Sequence, residues 1–291
     1  MRLVLEASIG LTLGLLAVGT TAAQQEPALP TPETALTRAC DAAGGIEAFK
    51  NLGIVAIASK SEELTQEGGT ATTLRNSYFL APGPIPGRFE YPDKNVVAGD
   101  DGSGGWALIN RKPDTRLATS YRVQRSLATS LFPMLLPFSL TWNGVSIQKI
   151  KAAQLQGHPV WQLTIEVPRT FFDTPQISTI WTVLLDRSTF AVVRAESPFT
   201  DLGKGMTADG MRFTWRNPVK IKNVTFYQEQ RVMGLDEVGQ EKTHNRVDHL
   251  QFHIVPTSEA PKLFGNPIPA DQRPKLPAPP QSPPRAPQPE G

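Results

Sequence analysis

Few residues in this chain have the types and spacing that chemistry requires. Asp101-Gly102-Ser103-Gly104-Gly105 sets a serine among glycines, the surroundings in which a hydrolase nucleophile can sit. All four histidines, His158, His244, His249 and His253, follow it in the chain, and no base is placed to activate the hydroxyl, so the segment reads as a Gly-rich hairpin turn. His244, His249 and His253 would suggest a metal site on a helix. Their neighbours Leu250, Phe252 and Ile254 alternate, which is a strand pattern. Strand positions four apart lie about 13 Å from each other, too far for shared ligation at about 2 Å. Cys40 is the one cysteine, so no internal disulfide is possible, and without a nearby base it reads as a small core hydrophobe. Asn223-Val224-Thr225 fits the glycosylation sequon inside a strand pattern. There is no phosphate-binding loop, dinucleotide fingerprint or zinc-protease helix. The expectation is a non-enzyme with no cofactor and no metal.

What the chain does carry is apolar surface in unusual places. Leu127, Leu131 and Leu135 are spaced four apart, as are Ala128, Phe132 and Leu136, and Met134 widens the apolar surface. Pro133 and Pro137 kink or end this segment. It reads as one helix among strands, apolar nearly all round, which must be covered or must itself cover something. The surrounding strands present large apolar side chains on one face, including Trp161, Leu163, Trp181, Met211, Phe213 and Trp215. If the helix seals that face, the core is dry. If the seal is incomplete, the gap is an apolar cavity suited to acyl chains, each buried CH₂ contributing about 0.8 kcal/mol. Leu127, Leu131, Phe132 and Leu135 are the candidate lid, and the six strand residues the candidate cavity wall.

The elements that would position them are mostly strands. A helix is expected after Thr31, with Pro32 at its first position and Glu33 in its first turn, ending at Gly44-Gly45; Ile46 to Leu52 adds a second short helix. From Gly53 onward the period is two. Ile54, Ala56 and Ala58 alternate with Val55 and Ile57, and then polar residues take over both faces. Further strands are expected around Leu74–Leu80, Phe89–Tyr91, Trp106–Leu108, Leu117–Val123, Trp161–Val167, Ile180–Leu185, Phe190–Glu196, Met211–Trp215, Val219–Phe226 and Leu250–Ile254. Turn residues separate them, with Asn143-Gly144 read as a hairpin and Lys222-Asn223 as a bulge. The fold class is mainly β: an antiparallel curved sheet or half-barrel of about eleven strands, with an N-terminal helix and an apolar lid helix.

The termini differ from this texture. Arg2, the apolar run Ile9–Val18 and Thr21-Ala22-Ala23 have the layout of a cleaved signal peptide over residues 1–23, followed by a polar leader over 24–32. The apolar run is short for a bilayer span, which takes about 20 residues, and no other stretch is long enough. A periplasmic or secreted protein is expected, with its mature chain starting near Gln24. A net charge of +2 gives no reason to expect nucleic-acid binding. After a β domain over 33–256, residues 257–291 are rich in Pro and read as a disordered tail.

Two stretches carry a family resemblance. Ala43-Gly44-Gly45-Ile46-Glu47-Ala48-Phe49, followed by Leu52 and the first strand, resembles the entry of exported half-barrel proteins. Thr179 to Glu196 resembles their strand–turn–strand, in which an Asp leads the turn and an Arg sits on the return strand. Leu127 to Phe138 sits where such folds place a lid helix. By this pattern the chain resembles the LolA-like superfamily, that of the periplasmic outer-membrane lipoprotein carrier, over most of residues 33–256. The resemblance implies a non-catalytic periplasmic binding protein holding a lipid, or the acyl chain of a lipoprotein, in an apolar cavity. The alternative is an envelope scaffold that binds another envelope protein through its sheet and Pro-rich tail.

Overall fold

A computed structural model describes residues 28–64, 69–171, 179–198 and 209–274. The signal-peptide and cleavage expectations, and the part of the tail beyond Pro274, lie outside these residues.

Helix α1 (Pro32–Ala42) starts where its cap predicts: Thr34 N–H donates to Thr31 Oγ1 at 3.2 Å, and Pro32 occupies the first turn. Helix α2 (Ile46–Lys50) follows after Gly44-Gly45. Strands β1 (Ile54–Leu64), β2 (Thr70–Leu80), β3 (Gly87–Tyr91), β4 (Val96–Asp100), β5 (Gly105–Ile109) and β6 (Lys112–Pro113) form one meander. After the long helix α3 (Leu117–Met134), a second meander runs through β7 (Ser146–Leu155), β8 (His158–Glu166), β9 (Ile180–Asp186), β10 (Val192–Pro198), β11 (Gly210–Ile221), β12 (Val224–Leu235) and β13 (Glu241–Val255). A short helix α4 (Ala260–Phe264) follows.

The two meanders join in the middle, where β1 pairs antiparallel with β13, giving among the described residues a single sheet of 13 strands in the order β6-β5-β4-β3-β2-β1-β13-β12-β11-β10-β9-β8-β7. Its outer strands, β6 and β7, do not pair, so it stays open. This topology explains α3. The chain leaves the sheet at one edge and re-enters at the other, and the 18-residue helix, about 27 Å long at 1.5 Å per residue, begins the crossing. It does so over the face that also carries α1 and α2.

That inner face is largely filled. Phe49 of α2 stacks on Phe138 at 4.2 Å, and Phe226 on Phe252 at 4.6 Å. Ala35, Ala39 and Cys40 from α1, and Ala128, Leu131, Phe132 and Leu135 from the crossing segment, belong to the same buried cluster as Leu163, Ile165, Val183 and Phe213 from the strands. The first half of α3 serves a smaller cluster, in which Val123 and Leu127 meet Ala98 of β4 and Ala107 of β5. Gly105 permits that approach: a Cβ there would lie 2.2 Å from the Ser120 carbonyl oxygen.

Several sequence expectations are corrected. Leu117 to Val123 is the start of α3, not a strand. Leu117 and Tyr121, four apart, are exposed, whereas Ser120, Val123 and Leu127 face inward at helical spacing. Asn143-Gly144 is not a hairpin, because the residues before it, Phe138–Thr141, form a buried 3₁₀ turn that delivers the chain into β7. Lys222-Asn223 is a tight turn between β11 and β12, with Ile221 and Val224 directly paired and Lys222 at φ 53°. The β11–β12 register is the same on both sides of Asn217, which has φ 55° and is passed over together with Gln228 between Arg216↔Glu229 and Pro218↔Tyr227, so no bulge stands there either. The disordered-tail expectation fails for residues 257–274. Phe264 and Ile268 are buried, Arg88 Nη1 donates to the Leu263 carbonyl at 3.2 Å, and α4 meets β3 on the outer face of the sheet. Two apolar side chains spaced four apart suffice to anchor a segment whose composition is otherwise polar and Pro-rich.

Candidate functional site

The inner face changes character along its central strands. On β1 the inward positions run Val55, Ile57, Ser59, Ser61, Glu63. Antiparallel pairing puts like with like: Val55 opposes Phe79 of β2 and Ile254 of β13, whereas Ser61 opposes Thr73 and Asp248. The register then carries a polar row outward, Asp248 facing Gln230 of β12 and Gln230 facing Trp215 of β11. One end of the inner face is therefore apolar and covered by α1 and α2. The other end is polar and only partly covered by the last turns of α3.

Between α3 and this polar end lies an open groove of about 390 Å³. Its apolar wall is Pro133, Met134, Trp181, Met211 and Phe213. Its charged side is Arg75, Arg246, Lys94, Glu63 and Asp248. Gln230 and Asp248 are 0 % and 1 % exposed, and burial of such groups requires partners. Trp215 Nε1 donates to Gln230 Oε1 at 3.2 Å, and Gln230 Nε2 donates to Asp248 Oδ2 at 3.2 Å. Arg246 Nε lies 3.1 Å from Asp248 Oδ1 as an ion pair, but neither atom makes a hydrogen bond. Arg75 lies below the end of α3, its Nη2 3.9 Å from the Met134 thioether sulfur, while its buried Nε has no acceptor.

The residues singled out by sequence divide. Trp181, Met211 and Phe213 line the groove together. Trp215 is adjacent, through Gln230. Leu127, Leu131, Phe132 and Leu135, at 0–1 % exposure, do not line it, and neither do Trp161 and Leu163, at 2 % and 0 %. The second half of α3 is thus core on one side, and its groove-facing residues are Thr129, Ser130, Pro133 and Met134. Sequence reasoning ranked apolar positions and so passed over Arg75, Gln230, Arg246 and Asp248. The available signal was the loss of alternation late in β1.

The remaining motifs are accounted for by local structure. The Asp100 carboxylate, fully buried, accepts from Gly102 N at 2.7 Å and from Gln124 Nε2 at 2.6 Å, so the Gly-rich turn around Ser103 fastens α3 to the β4–β5 hairpin. Asp186 Oδ1 accepts from Ser188 N at 3.0 Å and Thr189 N at 2.8 Å and from both hydroxyls, and the Ser188 hydroxyl leads the interactions that bring its pKa down to about 2. Arg194 on the return strand pairs with Glu196 at 3.2 Å. It lines a second, outer-face groove with Arg212, Arg216 and Arg231, whose charge Glu196, Glu241 and Glu229 largely offset. Burial, aided by Asp41, pushes the Cys40 thiol up to about 12, so no thiolate nucleophile forms near neutral pH. His249 and His253 lie exposed on β13, and among the described residues no three His, Cys, Asp or Glu side chains come together as a metal site. Among the described residues no helix is long and apolar enough to cross a membrane.

No protein-family model and no curated protein sequence matches this chain. Solved structures do. A LolA superfamily protein from Nitrosomonas europaea superposes with a TM-score of 0.51 at 10% identity, covering 79% of this chain and 97% of that one. A domain from Vibrio parahaemolyticus that bears the name of an outer membrane lipoprotein-sorting protein gives 0.49 at 10% identity, over 80% and 98% of the two chains. A DUF1329 family protein from Desulfovibrio piger gives 0.44 at 11% identity, over 74% and 96%. The Nitrosomonas match carries the fold assignment: the open antiparallel sheet with helices on its inner face is LolA-like.

Proposed function

We propose that this LolA-like half-barrel is an exported, non-catalytic binding protein that holds a lipid or an acylated ligand in the groove between α3 and the inner face of the sheet. The observation that carries the reading is the groove itself. At about 390 Å³ it falls within the range of small-molecule sites, about 300–1,000 Å³. Its wall of Trp181, Met211, Phe213, Pro133 and Met134 is continuous with the core but left open by the helix. Methionine and tryptophan suit a chain of variable length, because the thioether adapts and the indole offers broad apolar area. Each methylene moved from water onto this wall contributes about 0.8 kcal/mol, so binding needs no reaction and no cofactor. The layout of residues 1–23 supports export, and the LolA superfamily named for the Nitrosomonas neighbour agrees with a role in the envelope.

Two measurements test this. Protein isolated from the exported fraction is extracted and analysed by mass spectrometry, where a stoichiometric lipid or acyl species is expected. Delipidated protein should take up a fluorescent fatty-acyl probe, and Trp181→Ala or Phe213→Ala should weaken uptake. Absence of both co-purifying lipid and probe uptake would refute the proposal.

A further inference from the structure

Resting on that reading, we infer that the groove selects anionic amphiphiles, with Arg75 as the headgroup-binding residue and the Trp181–Met211–Phe213 wall as the chain-binding surface. The charges on the polar side are not equivalent. Asp248 is buried, accepts from Gln230 and pairs with Arg246, so Arg246 is committed within the sheet. Lys94 stands at the mouth, its ammonium 5.4 Å from the Tyr91 ring. Arg75 takes part in no ion pair among the described residues, and its Nε is buried without an acceptor. Among the described residues its one side-chain contact of hydrogen-bond type is to the Met134 sulfur at 3.9 Å, and a thioether is a weak acceptor. A buried guanidinium N–H left without an acceptor is costly, and the planar fork fits a carboxylate or phosphate with two parallel hydrogen bonds. Met134, which touches Arg75, also belongs to the apolar wall. A ligand whose anionic group reaches Arg75 therefore has its chain beside Met134, Met211 and Trp181.

Displacement of the neutral apolar dye N-phenylnaphthylamine from the full, delipidated chain tests this, with decyl phosphate, decanoate, 1-decanol and inorganic phosphate as competitors. Wild type should bind the two anionic amphiphiles at least about tenfold more tightly than decanol, as a charge-assisted pair implies. Arg75→Gln should bring both anionic amphiphiles down to the affinity that the same variant shows for decanol; Arg75→Lys should retain part of the preference. Equal affinity of wild type for decanol and the anions overturns the inference and leaves the lipid reading standing. It does so without any variant having to fold. Failure of every amphiphile to displace the dye overturns the lipid reading and the inference with it. Inorganic phosphate should not compete. Competition by it as strong as that of decyl phosphate would overturn the amphiphile assignment in favour of a free-phosphate site.

Discussion

Phe132→Ala separates a helix that belongs to the core from one that lifts away. The ring is fully buried and stands edge-on to Trp142 at 5.9 Å between centroids and to Trp181 at 5.1 Å. Truncating a buried Phe costs about 3–5 kcal/mol through lost transfer energy and the cavity left behind, and the two ring pairs place this site toward the upper end. Against a total of about 5–15 kcal/mol, that is a large fraction of the stability. At about 2–4 °C per kcal/mol for a domain of this size, the thermal midpoint should fall by roughly 6–20 °C. Urea unfolding followed by far-UV circular dichroism should show a lower midpoint with an unchanged slope. Because Phe132 backs Trp181, which lines the groove, dye affinity should fall in the same variant. A cost below about 1 kcal/mol would refute the assignment, since only a segment already detached in solution could lose this ring so cheaply. Leu131→Asp, which buries a charge at a position 1 % exposed, should then fold normally as well; the present structure requires that it unfold.

Three further outcomes are expected. Gly44→Ala should destabilise by about 2 kcal/mol or more, because φ is +111° there and a Cβ would lie 2.0 Å from the Asn223 carbonyl oxygen; a neutral urea midpoint would show that this junction gives way freely. Asp186 is held down at about 2 against an ordinary 3.8, so its contribution is fully present above about pH 4 and is lost as pH falls through about 2. Wild type should therefore lose more stability between pH 4 and pH 2 than Asp186→Asn, and parallel acid curves would contradict the turn assignment. A chain ending at Pro256 should lose stability through the burial of Phe264 and Ile268, whereas one ending at Pro274 should melt within a degree or two of the full chain; if the two truncations melt alike, α4 does not hold the sheet.

Much of the fold was legible in the sequence. Thr31-Pro32 announced α1, period-two runs announced most strands, and the leucine spacing announced the latter half of α3, because capping, pleat and helical period are local properties of the chain. Local pattern misled where two periods overlap. Leu117, Thr119, Tyr121 and Val123 alternate, yet the positions that bury are Ser120, Val123 and Leu127. Apolarity misled in another way: the most apolar residues of the helix, Leu127, Leu131 and Phe132, are the ones most fully used by the core. The groove is formed by what the core left over. Its polar row consists of Thr73, Ser61, Asp248, Gln230 and Trp215, drawn from five strands that span residues 54–255. Each residue reads as an ordinary strand position in the sequence. Only the antiparallel register between β1 and β13, the two ends of the domain, sets Ser61 beside Asp248, and only the passage of α3 from one sheet edge to the other leaves that row open above. Side-chain alternation is decided by neighbours along the chain. Register and crossover are decided by burial of the whole inner face, and no local window of sequence contains that sum.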